Sequence, residues 1–225
     1  MCAVSSTTIA GGSIPSSFRS REAISRVKPQ LEKDFAIKNL EFGSPIFIRI
    51  FKEEKELEIW VNRNKRFTLF RKYPICTYGY GSLGPKTRQG DEQAPEGFYY
   101  VKPDNLNPLS NFHLSFNLGY PNKYDRIHQR TGGALMVHGN CVSIGCYAMT
   151  DEKIEEIYAI ADAALRNGQS FFRAHIFPFR MTIENMQRHR NSKNLKEGYD
   201  FFEKHGNIPP SAEVENRRYV FNKSR

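Results

Sequence analysis

The chain has 225 residues and a formal net charge of +9, from 33 Lys and Arg against 24 Asp and Glu. With 39% apolar residues, 17 Phe and 11 Tyr, it can build one large core or two small ones, which excludes intrinsic disorder. No stretch approaches the roughly 18 consecutive apolar residues that span a bilayer, and four cysteines without a CxxC pair suit neither a disulfide scaffold nor a zinc site.

The positive charge implies an acidic partner, and nucleic acid, anionic lipid and cell-wall polymer all fit that description. No nucleic-acid-binding signature is present, so no nucleic-acid partner is expected. Gly79, Gly81 and Gly84 run into Pro85-Lys86, which is not a phosphate-binding loop.

Residues 1–18, rich in Ser, Thr and Gly, read as a flexible leader. The first fifteen residues lack the basic start and apolar run of a secretory signal, so the protein is either cytoplasmic or exported by a signal outside this sequence. Residues 19–43 form an N-terminal helical segment: Ile24, Val27, Leu31 and Phe35 recur at helical spacing, with a break expected at Pro29.

After Pro45 the period becomes two. Ile46, Ile48 and Ile50, then Leu57, Ile59 and Val61, mark two strands joined by a turn at 52–55. A second turn at 62–65 leads to a third strand at 67–77. This meander should have one apolar and one mixed face. Further short strands are expected at 97–102, 113–118, 134–138 and 173–177, separated by long Gly-, Pro- and Asn-rich loops of the kind that carry binding sites. A strong helix follows at 150–166, capped by Thr150 and lined on one face by Ile154, Ile157, Tyr158, Ala161 and Leu165. Two shorter helices near 183–189 and 195–204 and a strand at 217–221 complete an extension over 183–225. The fold class is mostly β with flanking helices, α+β.

The chemistry concentrates in Met136-Val137-His138-Gly139-Asn140-Cys141-Val142-Ser143-Ile144-Gly145-Cys146. An apolar strand delivers His138 into a loop that ends at Cys146, shortly before the capped helix. A thiol near a helix N-terminus is expected to have a lowered pKa, and a histidine can take its proton and hand it to a leaving amine. Gly139 and Gly145 supply the backbone freedom for the loop to turn back. Backbone N–H groups around 144–146 could stabilise an oxyanion. The other reading of a lone Cys and His, that both are structural, stays open on residue types alone.

These residues resemble the L,D-transpeptidase catalytic (YkuD) domain. His138-Gly139 matches the family's histidine-glycine pair, and Ser143-Ile144-Gly145-Cys146 matches its Ser/Thr-His-Gly-Cys motif with one substitution. Pro95-Glu96-Gly97-Phe98-Tyr99 is similar to the family's Thr-Pro-x-Gly-x-Phe/Tyr strand entry. The resemblance is stronger to the branch of Gram-negative periplasmic enzymes that release Braun's lipoprotein from murein. It is carried by the run from Pro45 to Glu54, by Tyr73-Pro74-Ile75-Cys76, by Leu83-Gly84-Pro85-Lys86, by 138–151, and by Phe177-Pro178-Phe179-Arg180-Met181-Thr182. It spans about residues 40–221.

The resemblance implies a β-sandwich-like catalytic domain over 44–182, a catalytic loop followed by a helix, and a periplasmic location. It implies that Cys146 is the nucleophile and His138 the general base, with the Gly139 carbonyl orienting the imidazole and Ser143, Ile144 and Gly145 as motif positions. The substrate would be a murein stem peptide, attacked at the amide after the L-centre of meso-diaminopimelate, with no cofactor or metal. Ile144 replaces a second histidine of the wider family, Ala148 replaces an arginine, and the spacing from His138 to Cys146 is short. These departures tell against crosslinking more than against catalysis. The expected activity is therefore hydrolytic release of a murein-linked protein or lipoprotein. Transpeptidation in the same fold and a catalytically silent wall-binding module are the alternatives.

Tyr80, Lys86 and Arg88 of the 79–88 loop, with Tyr124, Arg126 and Asn140, are candidate substrate contacts, because diaminopimelate carries a free carboxylate that a cation can hold. Cys141 is a rival nucleophile, disfavoured because no helix follows it and His138 is too near in sequence. It would pair with Cys76 in an oxidising compartment or be an ordinary buried thiol, the preferred reading. Cys2 is incidental to the leader or a lipidation site after signal cleavage. His113, His128, His175, His189 and His205 show no ligand spacing and read as surface or packing residues.

Overall fold

The computed structural model describes residues 14–79, 83–189, 193–209 and 211–221. Most of the leader, with Cys2, and Tyr80 in the 79–88 loop lie outside the described residues. Helix α1 (Phe18–Ile37) precedes strands β1 (Ile46–Phe51), β2 (Glu56–Arg63), β3 (Arg66–Pro74) and β4 (Gly97–Val101). The short strands β5 (Leu106–Asn107) and β6 (Ser115–Asn117) come next, then helix α2 (Lys123–Ile127) and strands β7 (Met136–His138) and β8 (Tyr147–Ala148). Helix α3 (Asp151–Arg166) leads to β9 (Phe172–Phe177), helices α4 (Ile183–Arg188) and α5 (Lys193–His205), and a hairpin of β10 (Glu213–Glu215) and β11 (Arg218–Val220). Among the described residues, no helix is long and apolar enough to cross a membrane.

A five-stranded sheet in the order β3-β2-β1-β9-β4 forms the centre, and a four-stranded sheet β5-β6-β7-β8 carries His138 on β7. The chain thus combines sheets with flanking helices, the α+β class the sequence implies. The β2–β3 hairpin turns on Asn64 and Lys65, both with positive φ, the geometry that matches strand twist in a two-residue turn. Thr150 caps α3 by accepting from the Lys153 N–H, so the cap expected there is present.

Two expectations need correction. First, α1 runs unbroken through Pro29. Both Pro29 and Ser25, whose carbonyl loses its i+4 donor, are exposed, so that carbonyl is open to solvent and the missing bond costs little. Second, β1 is buried on both faces rather than presenting a mixed one. Ile46, Ile48 and Ile50 enter the main core with Ala23, Leu31 and Phe35 of α1 and the apolar stripe of α3. Phe47 and Phe51, on the opposite face, are covered by Phe202 and Tyr199 of α5. Phe51 also joins a second core with Phe98, Phe177, Phe179 and Tyr219. Arg49 stays on that covered face because its guanidinium reaches Glu203 at 2.7 Å and packs against Phe51, Tyr199 and Phe202.

The segment from Gly84 to Glu96, which overhangs the small sheet, is anchored by a buried lysine. Lys52 Nζ donates to Gly84 O at 2.6 Å, Ala94 O at 3.2 Å and Glu96 Oε1 at 3.0 Å. Glu96 Oε1 also accepts from the Gly84 N–H. Pairing makes the burial of this charge tolerable and fixes both ends of the segment.

Candidate active site

Strand β7 lies between β6, antiparallel, and β8, parallel, with Ser115 opposite His138 and His138 beside Ala148. Val137 and Tyr147, paired across β7 and β8, anchor the strands in the main core. The alternation of strand side chains puts Met136 and His138 on the other face. The parallel register continued one step sets Cys146 beside Met136, and the Met136 N–H donates to Cys146 Sγ at 3.4 Å. Cys146 thus directly precedes β8, beside Met136, while His138 stands beside Ala148 two residues further along the same strand pair. Their own hydrogen bonds run elsewhere: Cys146 Sγ also lies 3.7 Å from Ala134 O, and His138 Nδ1 lies 2.6 Å from Gly139 O.

That last contact fixes the tautomer. A carbonyl only accepts, so Nδ1 carries the proton and Nε2 presents its lone pair. The Phe112 ring, 4.7 Å from the imidazole centroid, covers one side of it. Burial lowers the His138 pKa below its ordinary value, and the Gly139 carbonyl opposes this only in part. The ring is neutral around pH 7.

The thiol departs from expectation. Burial raises the Cys146 pKa above its ordinary value, with the Met136 N–H and the Lys86 charge pulling weakly the other way. The helix does not help, because α3 begins at Asp151 and the strand residues Tyr147 and Ala148 stand between it and the thiol. Cys146 thus rests as a protonated thiol, not a preformed thiolate.

The return loop also turns differently from the expectation. Asn140 and Cys141, not Gly139, occupy the left-handed region, at φ 67° and 50°. Gly139 is needed for space: a Cβ there would lie 2.5 Å from Asp151 Oδ1 and 3.0 Å from Phe112 O. Gly145 does use its freedom, at φ 150°. The two strained residues are held by a Cys76–Cys141 disulfide, by the Cys141 N–H on Met149 O at 3.0 Å, and by the Asn140 N–H on Asp151 Oδ1 at 2.7 Å. Cys141 is thus neither a rival nucleophile nor a buried thiol: it is exposed and bonded, leaving Cys146 as the free cysteine among the described residues. Ser143 Oγ donates to Cys146 O at 2.7 Å and accepts from the Gly145 N–H at 3.0 Å. That N–H is therefore engaged, and the oxyanion donors expected around 144–146 reduce to those of Ile144 and Cys146.

A groove of approximately 510 Å³ opens over Cys146, lined by Lys86, Gln89, Glu92, Gly132, Ala134, Leu135, Ile144 and Gly145 among others. Ile144 is 76% exposed at its rim. Lys86 reaches the groove, but its ammonium is bound to Asp91 at 2.7 Å and to Arg88 O, so it is no free cation. Arg88 contributes its carbonyl to that knot, and Asn140 is exposed on the loop with its N–H on Asp151. Tyr124 and Arg126 line cavities that do not include Cys146: Tyr124 stacks on Tyr219 and His128, and Arg126 donates to Pro121 O. The sequence reading missed Asp151 as an anchor of the histidine loop. It also missed Gln89, Glu92 and Ala134, whose types carry no signal of a groove wall.

The family profile described as L,D-transpeptidase catalytic domain, YkuD, matches residues 45–176. The chain is 48% identical over 187 residues to YafK of Escherichia coli strain K12, covering 80% of this chain and 75% of that one. YafK of E. coli O157:H7 matches equally, and both names assign these proteins provisionally to the L,D-transpeptidases. Among solved structures, the helical cell shape determining protein Pgp2 of Campylobacter jejuni is similar at a TM-score of 0.48 and 18% identity, covering 71% of this chain and 55% of that one. Bd1075 of Bdellovibrio bacteriovorus is similar at 0.44 and 22%, covering 71% and 58%. The chain spans little more than half the length of those two structures.

Proposed function

Because the chain belongs to the L,D-transpeptidase catalytic domain family, whose members act on peptidoglycan stem peptides, we propose that it cleaves the amide after the L-centre of meso-diaminopimelate and so releases a murein-linked protein or lipoprotein. The observation that carries this reading is the His138 tautomer: Nδ1–H is held on Gly139 O, which leaves the Nε2 lone pair to act as a base on a strand beside the segment that brings Cys146. Cys146 Sγ attacks the carbonyl carbon while Nε2 takes the thiol proton, and the imidazolium passes that proton to the leaving amine as the C–N bond breaks. Water then attacks the thioester, giving its proton to Nε2, and the departing sulfur takes it back.

Hydrolysis rather than transfer to an amine is supported by the acceptor side. Ala148, where the wider family has an arginine, is fully buried and paired to Thr77 and His138, and Ile144 presents an alkyl group at the groove rim. No polar side chain at either position can hold an acceptor amine. The Cys76–Cys141 disulfide suits an oxidising compartment and supports a periplasmic location.

The test is incubation with murein sacculi that carry linked protein, followed by chromatography and mass spectrometry of the released peptides. Lys- or Arg-ended peptides should leave the diaminopimelate sites without a gain in direct diaminopimelate–diaminopimelate links. Cys146→Ala should abolish release, and His138→Ala should slow it by about 10²–10⁴-fold. Release at the parent rate by Cys146→Ala would refute the mechanism, and a Cys146-dependent rise in such links would establish transpeptidation instead.

A further inference from the structure

The Gly139–Asn140 peptide unit is bonded at both ends. Its carbonyl accepts from His138 Nδ1–H at 2.6 Å, and its N–H donates to Asp151 Oδ1 at 2.7 Å. The imidazole, one peptide group and a side-chain carboxylate therefore stand in a single hydrogen-bonded row. The row is tight by construction: no Cβ fits at Gly139, because it would collide with Asp151 Oδ1 at 2.5 Å. Asp151 is itself held in place as the first residue of α3, directly after the Thr150 cap. The next residues of the loop, Asn140 and Cys141, are in strained left-handed conformations, so the peptide plane is not set by local backbone preference.

We propose that Asp151 is a positioning residue for His138, acting through the Gly139–Asn140 peptide. By accepting the Asn140 N–H, its carboxylate fixes the plane of that peptide and aims the Gly139 carbonyl at Nδ1. The carbonyl then holds the histidine in the tautomer whose Nε2 lone pair is available to the thiol. Hydrogen bonds in a row also polarise one another, so an acceptor at the N–H end strengthens the carbonyl as an acceptor at the other. A carboxylate that orients a catalytic histidine usually bonds its ring directly; here a backbone peptide carries the same instruction. The inference rests on the reading of His138 as the base for Cys146, and it adds the residue that sets the state of that base.

The experiment uses the full chain with ¹⁵N-labelled histidine, comparing wild type, Asp151→Ala and Asp151→Asn. Long-range ¹H–¹⁵N spectra, recorded at a pH where the ring is neutral, report the His138 tautomer. Iodoacetamide labelling of Cys146, followed by mass spectrometry near neutral pH, reports the reactivity of the thiol. Asp151→Ala should lose the single Nδ1–H tautomer and slow labelling by about tenfold, the low end of what is lost when a group that orients a histidine by hydrogen bonding is removed from a metal site. Asp151→Asn keeps an acceptor oxygen and should restore both. Wild-type tautomer and labelling rate in Asp151→Ala would overturn the proposal, as would an Asn variant no better than Ala. A variant-free check guards against misfolding. The wild-type chain should show a through-hydrogen-bond coupling from the Asn140 amide nitrogen to the Asp151 carboxyl carbon, and its absence would also overturn the proposal. None of these measurements uses murein, so inactivity on sacculi would count against the proposed function alone.

Discussion

Replacing the Cys76–Cys141 disulfide by two alanines tests how much the catalytic loop depends on a covalent tether. The bond joins the segment after β3 to the loop after His138 across a sequence separation of 65 residues. Closing a loop of that length removes unfolded-state entropy worth about 4 kcal/mol at 25 °C. For a chain of this size that corresponds to a fall in Tm of roughly 8–16 °C, at about 2–4 °C per kcal/mol. Local strain adds a second effect. Asn140 and Cys141 sit in the left-handed region, at a cost of order 1–3 kcal/mol each, and the tether is one of the three contacts that keep them there. Without it the loop should relax at Cys141, next to the peptide that orients His138, so activity should fall even below the melting range. Urea unfolding of wild type with and without reductant, beside Cys76→Ala/Cys141→Ala, measures the stability part. Alkylation before and after reduction should show Cys76 and Cys141 protected until reductant is added. An unchanged urea midpoint on reduction, or ready labelling of Cys141 without it, would refute the reasoning.

Three further outcomes follow from buried groups. Lys52→Met should destabilise the chain by about 3–5 kcal/mol, because Glu96 and the Gly84 and Ala94 carbonyls lose their shared partner, and urea unfolding reads the loss. His175 is fully buried between Phe47 and Phe98, and its pKa is well below the ordinary value because burial and the charges of Arg173 and Arg49 disfavour the imidazolium. Above about pH 6.5 both folded and unfolded states are neutral there; below it only the unfolded chain takes the proton, so stability should fall by up to about 1.4 kcal/mol per pH unit. In His175→Leu that slope should flatten by one proton, and an unchanged slope between pH 6.5 and 4.5 would sink the assignment. Finally, labelling of Cys146 in the free protein should rise through a pH range above that of an ordinary exposed cysteine, since burial raises its pKa; a plateau already reached at pH 7 would show a preformed thiolate.

Where a pattern lives in consecutive residues, the sequence disclosed the fold. The alternation of Ile46, Ile48 and Ile50 with the next strand gave the meander, and Thr150 with the apolar stripe behind it gave α3. What depends on distant partners was not legible. The sequence could not show that α5 would cover Phe47 and Phe51 on the mixed face of β1. Strand β8 is two residues long, too short for any alternation, yet it separates Cys146 from the helix and removes the expected lowering of the thiol pKa. Lys86 read as a free cation because nothing in a row of letters shows that Asp91 holds its ammonium; Arg88 enters the same knot through its backbone alone. Tyr124 and Arg126 share a short helix with Asp125, whose bonds to Tyr99, Asn122 and Arg130 turn that helix toward other cavities.

The resting site is electrically quiet, and that bears on how it would work. Its half-buried thiol and buried imidazole are both neutral, so neither of the two is charged until a carbonyl carbon arrives. On the proposed reading, proton transfer and sulfur attack then occur together, and the charge that develops is shared between the imidazolium and the oxyanion. The imidazolium is stabilised through Nδ1 by the Gly139 carbonyl, behind which stands Asp151; the oxyanion faces the backbone donors left at Ile144 and Cys146. A thiol held neutral is also protected from oxidation in a compartment that forms disulfides, since the thiolate is the reactive form. On the proposed reading the thiol waits in its neutral form, and His138 must be in one tautomer when substrate fills the groove. That demand explains why the loop behind the histidine is bonded at Asn140, Cys141 and Met149 rather than left free.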